Sequence, residues 1–275
     1  MTDDIDRRHL DAIADADLFP YWFDDVDEPD SNATLVRNES CDLCVVGGGY
    51  TGLWTAIVAK ERDSSRDVVL IDAAEIGSAA SGRNGGFIES SLTHGVANGQ
   101  ERFPHELELL EQLGLENLDA IENAIYRYDI DCDFERTGVI DVATTVHAPS
   151  YLDELRDEAA HLHRLGQDAR WLDADAMRAE VDSPTYTGGL WRIGRAALVD
   201  PARLAWGLKS AAEWLGVRIY EDTKATHLDR DGVGVLVTTP LANVRAARVA
   251  LGTNATRPLL PGCAITSHPS TTTAW

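Results

Sequence analysis

Lysine is nearly missing from this chain of 275 residues: Lys60, Lys209 and Lys224 are the only three, and the other long basic side chains are arginines. Basic charge as a whole is short, with 24 Lys and Arg against 46 Asp and Glu and a formal net charge of -22. A surface of that sign repels phosphate backbones and anionic headgroups, so neither nucleic acid nor a membrane is expected as a partner. Long apolar runs are missing too. No stretch approaches the roughly 18 uninterrupted apolar residues of a membrane-spanning helix. The charged start MTDDIDRRHLDAIADADLFP has no signal-peptide core. The expectation is a cytoplasmic protein. The acidic, lysine-poor composition suggests a salty, halophilic cell interior, where screening makes dense carboxylates tolerable. A merely acidic protein from a GC-rich genome is the alternative.

Cysteine is scarce, with four in the chain. Cys41 and Cys44 form a C-x-x-C, but a zinc site would want a second such pair and none follows. On an extended strand the odd spacing points the two side chains to opposite faces, so both are read as structural. His161 and His163 stand in an acidic helical segment without metal-ligand spacing, and no metal site is expected. Asn32, Asn38 and Asn254 open Asn-x-Ser/Thr triplets that carry no meaning without a secretion signal.

What is present is a globular pattern, 44% hydrophobic, with helix and strand periods alternating. Residues 1–40 are an acidic extension with an aromatic patch at Tyr21, Trp22 and Phe23. From Cys41 to Val46 every residue but Asp42 is apolar, as in a strand buried on both faces of a parallel sheet. Thr51 to Lys60 reads as a helix and DVVLI, Asp67 to Ile71, as the next strand. The result is a β-α-β unit of about 30 residues. Amphipathic helices are expected over 105–128 and 151–165. A third, over 201–215, is capped by Asp200, opened by Pro201 and stopped at Gly216. Strands are expected at 137–143, 217–220, 234–238 and 248–251.

Gly47-x-Gly49-x-x-Gly52 falls directly between strand and helix. The first glycine permits the tight turn, the second lets a diphosphate approach the backbone, and the third lets helix and strand pack closely. Tyr50 and Thr51 lie inside the motif, at a helix N-terminus that offers amides and a positive dipole end. Asp72 ends the second strand 20 residues after Gly52, where a carboxylate bonds ribose hydroxyls and disfavours a 2′-phosphate. These residues imply a dinucleotide and leave NAD and FAD both open.

The next loop narrows the choice. VVGGGYTGL (Val45–Leu53), ASGRNGG (Ala80–Gly86), DCDFERTG (Asp131–Gly138) and VALGTNA (Val249–Ala255) occur in this order. Together they resemble the FAD-dependent oxidoreductases of the D-amino-acid oxidase superfamily, and more closely its γ-glutamylputrescine oxidoreductase-like and glycine oxidase-like branch. The resemblance runs from about Tyr21 to Gly262. It implies an α/β fold in which a Rossmann-like FAD-binding domain, of the glutathione-reductase-like βαβ kind, is interleaved with an α+β substrate domain. The FAD-binding pieces fall near 41–96 and 173–258 and the first substrate piece at 97–172. The second substrate piece and the last FAD-binding piece have no counterpart.

The resemblance also implies roles. Ser81, Gly82 and Arg83 would sit against the FAD diphosphate, Arg83 as a guanidinium fork. Asn84, Gly85 and Gly86 would bring backbone close to the ribityl chain and flavin ring. Ala225 would read the adenine edge by its backbone, and Gly252 would belong to the strand that closes over the nucleotide. His94 would either line the flavin pocket or cap a turn. The implied reaction oxidises a primary or secondary amine or an amino acid by hydride transfer to flavin, with hydrolysis of the imine and oxygen as acceptor. An amine bound already deprotonated needs no side-chain base, and none is assigned. The tail 259–275 departs from the family. Shifted by one base, codons for CAITSHPSTTTAW can spell RHYVAPVYDYGL, a family-like continuation, so a frameshift near Pro261–Cys263 is expected. The second reading is therefore a non-catalytic nucleotide-binding remnant. The third, an NAD-dependent dehydrogenase, is disfavoured by SGRNGGF.

Overall fold

The structure is a computed structural model that describes residues 14, 20–24, 29–93, 95–164, 166–254 and 259–260. His94, Cys263 and the frameshift reading of 261–275 lie outside these residues.

The framework is a six-stranded sheet. β1 (Glu39–Val46) is flanked in parallel by β2 (Val68–Ile71) and β11 (Asn243–Leu251), and β2 in parallel by β8 (Arg218–Tyr220). β10 (Gly234–Thr238) and β9 (His227–Asp231) continue beyond β11 as an antiparallel hairpin, giving the order β8-β2-β1-β11-β10-β9. β2 is buried at all four positions, which is why its sequence shows no polar alternation. On one face Val45, Val68 and Leu70 pack against Leu53 and Ile57 of α2 (Tyr50–Arg62) and Leu204 and Leu208 of α7 (Pro201–Trp214). On the other, Cys44, Val46, Val69 and Ile71 meet Leu35, Val237 and Val244.

α7 ends as its residues predict. Asp200 Oδ1 accepts from the Ala202 and Arg203 amides at 2.9 and 3.0 Å. Gly216, at φ +86°, lets its own amide reach Glu213 O and that of Val217 reach Ala212 O, at 2.8 and 2.9 Å.

The expected placement of the two cysteines on opposite faces does not hold: Cys41 packs against the same cluster that buries Cys44. The amides of Asp42 and Leu43 both donate to Asp67 O, at 3.0 and 3.1 Å. Two residues thus oppose one, and this β-bulge reverses the alternation.

A second sheet is antiparallel, with β6 (Tyr186–Arg192) between β4 (Val139–Thr144) and β5 (Ala169–Leu172). Leu155 and Leu162 of α5 (Pro149–Arg164) cover it, and α6 (Ala174–Glu180) follows β5. The boundary expected at 172/173 falls between β5 and β6, which pair in this sheet. β3 (Phe87–Glu89) pairs with β7 (Ala196–Leu198) as a short ribbon. Between β3 and β4 come α3 (Val96–Arg102) and the long α4 (Leu107–Arg127), which buries Leu118 and Ile125 and leaves Leu109 and Leu113 exposed. At the N-terminus, α1 (Tyr21–Asp24) is a single turn.

Candidate functional site

The glycine turn sits where β1 ends and α2 begins, at the carboxyl edge of the parallel strands. Gly47 has φ +107°, and a Cβ there would lie 2.5 Å from Gly252 O. Gly252 in turn donates its amide to Val46 O at 2.8 Å, so the end of β11 is pressed onto the turn. A Cβ on Gly52 would lie 1.8 Å from Gly47 O, and one on Gly49 would lie 2.8 Å from Ser81 Oγ. Backbone therefore excludes a side chain at Gly47 and Gly52, and the Ser81 hydroxyl crowds one at Gly49.

The N-terminus of α2 has Gly49 as its cap, with no side-chain hydrogen bond and no acidic residue in the first turn. Ser81 is brought to it from the next loop, its hydroxyl accepting from the Tyr50 amide at 3.0 Å. Thr51 is exposed beside it. The Tyr50 ring runs inward. Its hydroxyl donates to Pro201 O at 2.9 Å, and burial pushes its pKa up.

Asp72 lies across the turn. Its carboxylate accepts from the Gly48 amide through Oδ2 and from the Ala74 amide through Oδ1 at 2.9 Å. Burial pushes this carboxyl up from its ordinary 3.8, against the opposing pull of those amides. The backbone of Asp72 also accepts from the Thr223 amide at 2.6 Å, which draws the segment carrying Ala225 alongside. Gly48 was missed in the sequence. Its amide orients the Asp72 carboxylate, and a Cβ there would lie 2.0 Å from Ile76 Cδ1. The unbroken glycine triplet was the signal that it, too, is constrained.

The loop from Ala80 opens with a 3-10 turn, Ala80–Gly82, and is held by its own side chain: Asn84 Nδ2 donates to Ser81 O at 2.7 Å, and Asn84 Oδ1 accepts from the Gly86 amide at 2.9 Å. Gly86, at φ +74°, leaves no room for a Cβ, which would lie 2.2 Å from Val199 O. Gly82 is buried and Gly85 exposed. Arg83 is exposed, its Nε donating to Ser78 O at 2.6 Å, on the same short loop as the Ser81 hydroxyl that meets α2. A cavity of about 950 Å³ opens beside Asn84 and Gly85, with walls from Tyr50, Trp54, Phe87 and Ile121. Among the described residues no cluster of His, Cys, Asp and Glu could hold a metal, and no helix is long and apolar enough to cross a membrane.

A parallel α/β sheet with a glycine turn at its carboxyl edge, a helix N-terminus capped by glycine and a strand-end carboxylate match the pattern of dinucleotide-binding folds. The FAD dependent oxidoreductase family profile matches residues 42–272. The chain is 35% identical over 224 residues to γ-glutamylputrescine oxidoreductase of Escherichia coli K12, covering 81% of this chain and 51% of that protein. Among solved structures, glycine oxidase from Geobacillus kaustophilus superposes with a TM-score of 0.64 at 22% identity, over 79% of this chain and 56% of its own. FAD-bound L-α-glycerophosphate oxidase from Mycoplasma pneumoniae gives 0.62 at 20% identity, over 79% and 55%. The chain belongs to the FAD dependent oxidoreductase family, and it spans about half the length of the curated relatives it matches.

Proposed function

We propose that the chain carries the FAD-gripping portion of an oxidoreductase acting on a small amine or amino acid. The observation that carries this reading is convergence: the N-terminus of α2, Asp72, Ser81 and the Gly252 strand end meet around one turn whose backbone leaves no room for a side chain at Gly47 or Gly52. Amides at that turn suit a diphosphate, since they donate without bulk and lie at the positive end of the helix. Asp72, already held by two amides, retains lone pairs for ribose hydroxyls. In this reading Gly47, Gly49, Tyr50, Thr51 and Gly52 cradle the diphosphate with Ser81, Gly82 and Arg83. Ala225 flanks the adenine, and Asn84, Gly85 and Gly86 face the ring system from the wall of the cavity. Bound there, FAD supplies a hydride acceptor for oxidation of the amine at its α-carbon, with hydrolysis of the imine and reoxidation by oxygen completing the turnover. The protein's own contribution is to position: backbone orients the coenzyme, and Trp54, Phe87 and Ile121 give the cavity an apolar wall.

Because the chain spans only half of its relatives, a second reading has a specific support: a domain that takes up FAD without turning over amine. Equilibrium dialysis against FAD and against NAD, with the bound fraction read by absorbance, tests the first claim. Uptake of FAD and not NAD is expected, and absence of FAD uptake overturns it. Anaerobic bleaching of the bound flavin by added amines then separates the two readings, since an inert yellow protein supports only the second.

A further inference from the structure

We propose that Trp22 and Phe23 form an aromatic clasp by which the N-terminal segment positions the Ser81–Gly86 loop for the coenzyme. This inference rests on the FAD reading above. Trp22 Nε1 donates to Asn84 O at 2.8 Å. The Phe23 ring is 8% exposed and stacks on Trp206 of α7, with centroids 5.7 Å apart and planes at 27°. Its other side meets the loop. A Cβ on Gly82 would lie 2.9 Å from the Phe23 ring, and the Arg83 guanidinium carbon stands 5.4 Å from the ring centroid.

Residues further along meet α7 at Asp30 and the stretch after β8 at Asn32 and Leu35. Asp30 O accepts from Lys209 Nζ at 3.0 Å, the Asn32 amide donates to the Glu221 carboxylate, and the Leu35 amide donates to Thr223 Oγ1 at 3.0 Å.

A physical need exists for such a device. The loop is rich in glycine, with Arg83 and Gly85 exposed, and its own bonds run mostly between Ser81, Asn84 and Gly86. A loop that is ordered only on binding subtracts its ordering entropy from affinity, whereas one held beforehand does not. Phe23 acts through Gly82 and Arg83 and touches no reacting atom, so it is a positioning residue.

The test uses the whole chain and three variants: Phe23→Ala, Phe23→Tyr and Trp22→Phe. In the ligand-free protein, hydrogen exchange read by mass spectrometry should lose protection over 78–87 in Phe23→Ala and Trp22→Phe. Protection of β4 and β6 should stay at the wild-type level. The FAD dissociation constant should rise about tenfold in Phe23→Ala, the size expected from a stacked ring and a cation–π contact together. Phe23→Tyr, which keeps the ring, should restore both readouts. Unchanged loop exchange in Phe23→Ala overturns the clasp. So does protection lost evenly over the chain, which marks general destabilisation. If the wild-type chain takes up no FAD, the functional reading fails, and the exchange arm still decides the clasp.

Discussion

Lys209 and Glu221 form a buried ion pair that supports the proposed nucleotide site, and its removal has a calculable cost. The two side chains are 5% and 1% exposed, with Nζ 2.8 Å from Oε2. Glu221 Oε1 also accepts from the Ile76 amide at 2.6 Å, while Oε2 accepts from the Asn32 amide. Lys209→Met leaves a carboxylate buried without its cation, which costs about 3–5 kcal/mol. Against a total stability of about 5–15 kcal/mol that is a large fraction. The melting temperature of a domain this size should fall by roughly 6–20 °C. In many proteins replacing both members of such a pair by apolar residues restores stability. Here it should not. Lys209→Met combined with Glu221→Leu leaves the buried Ile76 amide without an acceptor, at about 1–3 kcal/mol, and strands the part-buried Asn32 amide as well. Urea unfolding followed by tryptophan fluorescence, comparing midpoints at constant slope, measures both variants. A double variant as stable as wild type would refute the reasoning, because it would mean the backbone bonds to Glu221 contribute nothing. A functional readout follows from the same bonds. Ile76 packs against Gly48, whose amide orients Asp72, so the double variant should also bind FAD more weakly.

Gly52→Ala should lower stability by about 1–3 kcal/mol despite the better helix propensity of alanine, because its Cβ meets Gly47 O at 1.8 Å. A thermal melt equal to wild type would contradict this. The raised pKa of Asp72 means that folding favours its protonated form. Its contribution to the stability of the ligand-free chain is therefore present below the ordinary 3.8 and lost as pH rises through the folded value. FAD affinity should run the opposite way, falling on acidification at a pH above that of an ordinary aspartate. Asp72→Asn should flatten the profile of dissociation constant against pH, and an unchanged profile would assign the dependence to another group. Among Cys41, Cys44 and Cys132, alkylation at pH 8 should reach Cys41 first. Its hydrogen bond from Cys44 lowers its pKa, the same bond and burial raise that of Cys44, and burial pushes Cys132 up to about 12. Equal labelling of the native peptides in mass spectrometry would contradict that order.

Local chemistry was legible in the residues themselves. The apolar runs at 41–46 and 67–71, the glycines between them and the Asp200-Pro201 cap each depend on neighbours within one turn or one strand, so the chain states them directly. The strand 186–192 was not legible. Two glycines at 188 and 189 interrupt its apolar pattern, and it is a strand because β4 and β5 supply partners on both sides. The bulge at Asp42 and Leu43 likewise exists only because Asp67 O receives both amides.

The sequence by itself therefore determined the β-α-β unit, the glycine turn and the strand-end carboxylate, because short-range sterics and hydrophobic period leave few alternatives. The tertiary structure decided what surrounds them: Gly48 against Asp72, Ser81 on the first turn of α2, Lys209 with Glu221, and Phe23 between Trp206 and the loop. Those contacts join residues from 12 to 183 positions apart or, at the site itself, 24 and 31. No local rule encodes them, since their free energy exists only once the sheet has brought the segments together.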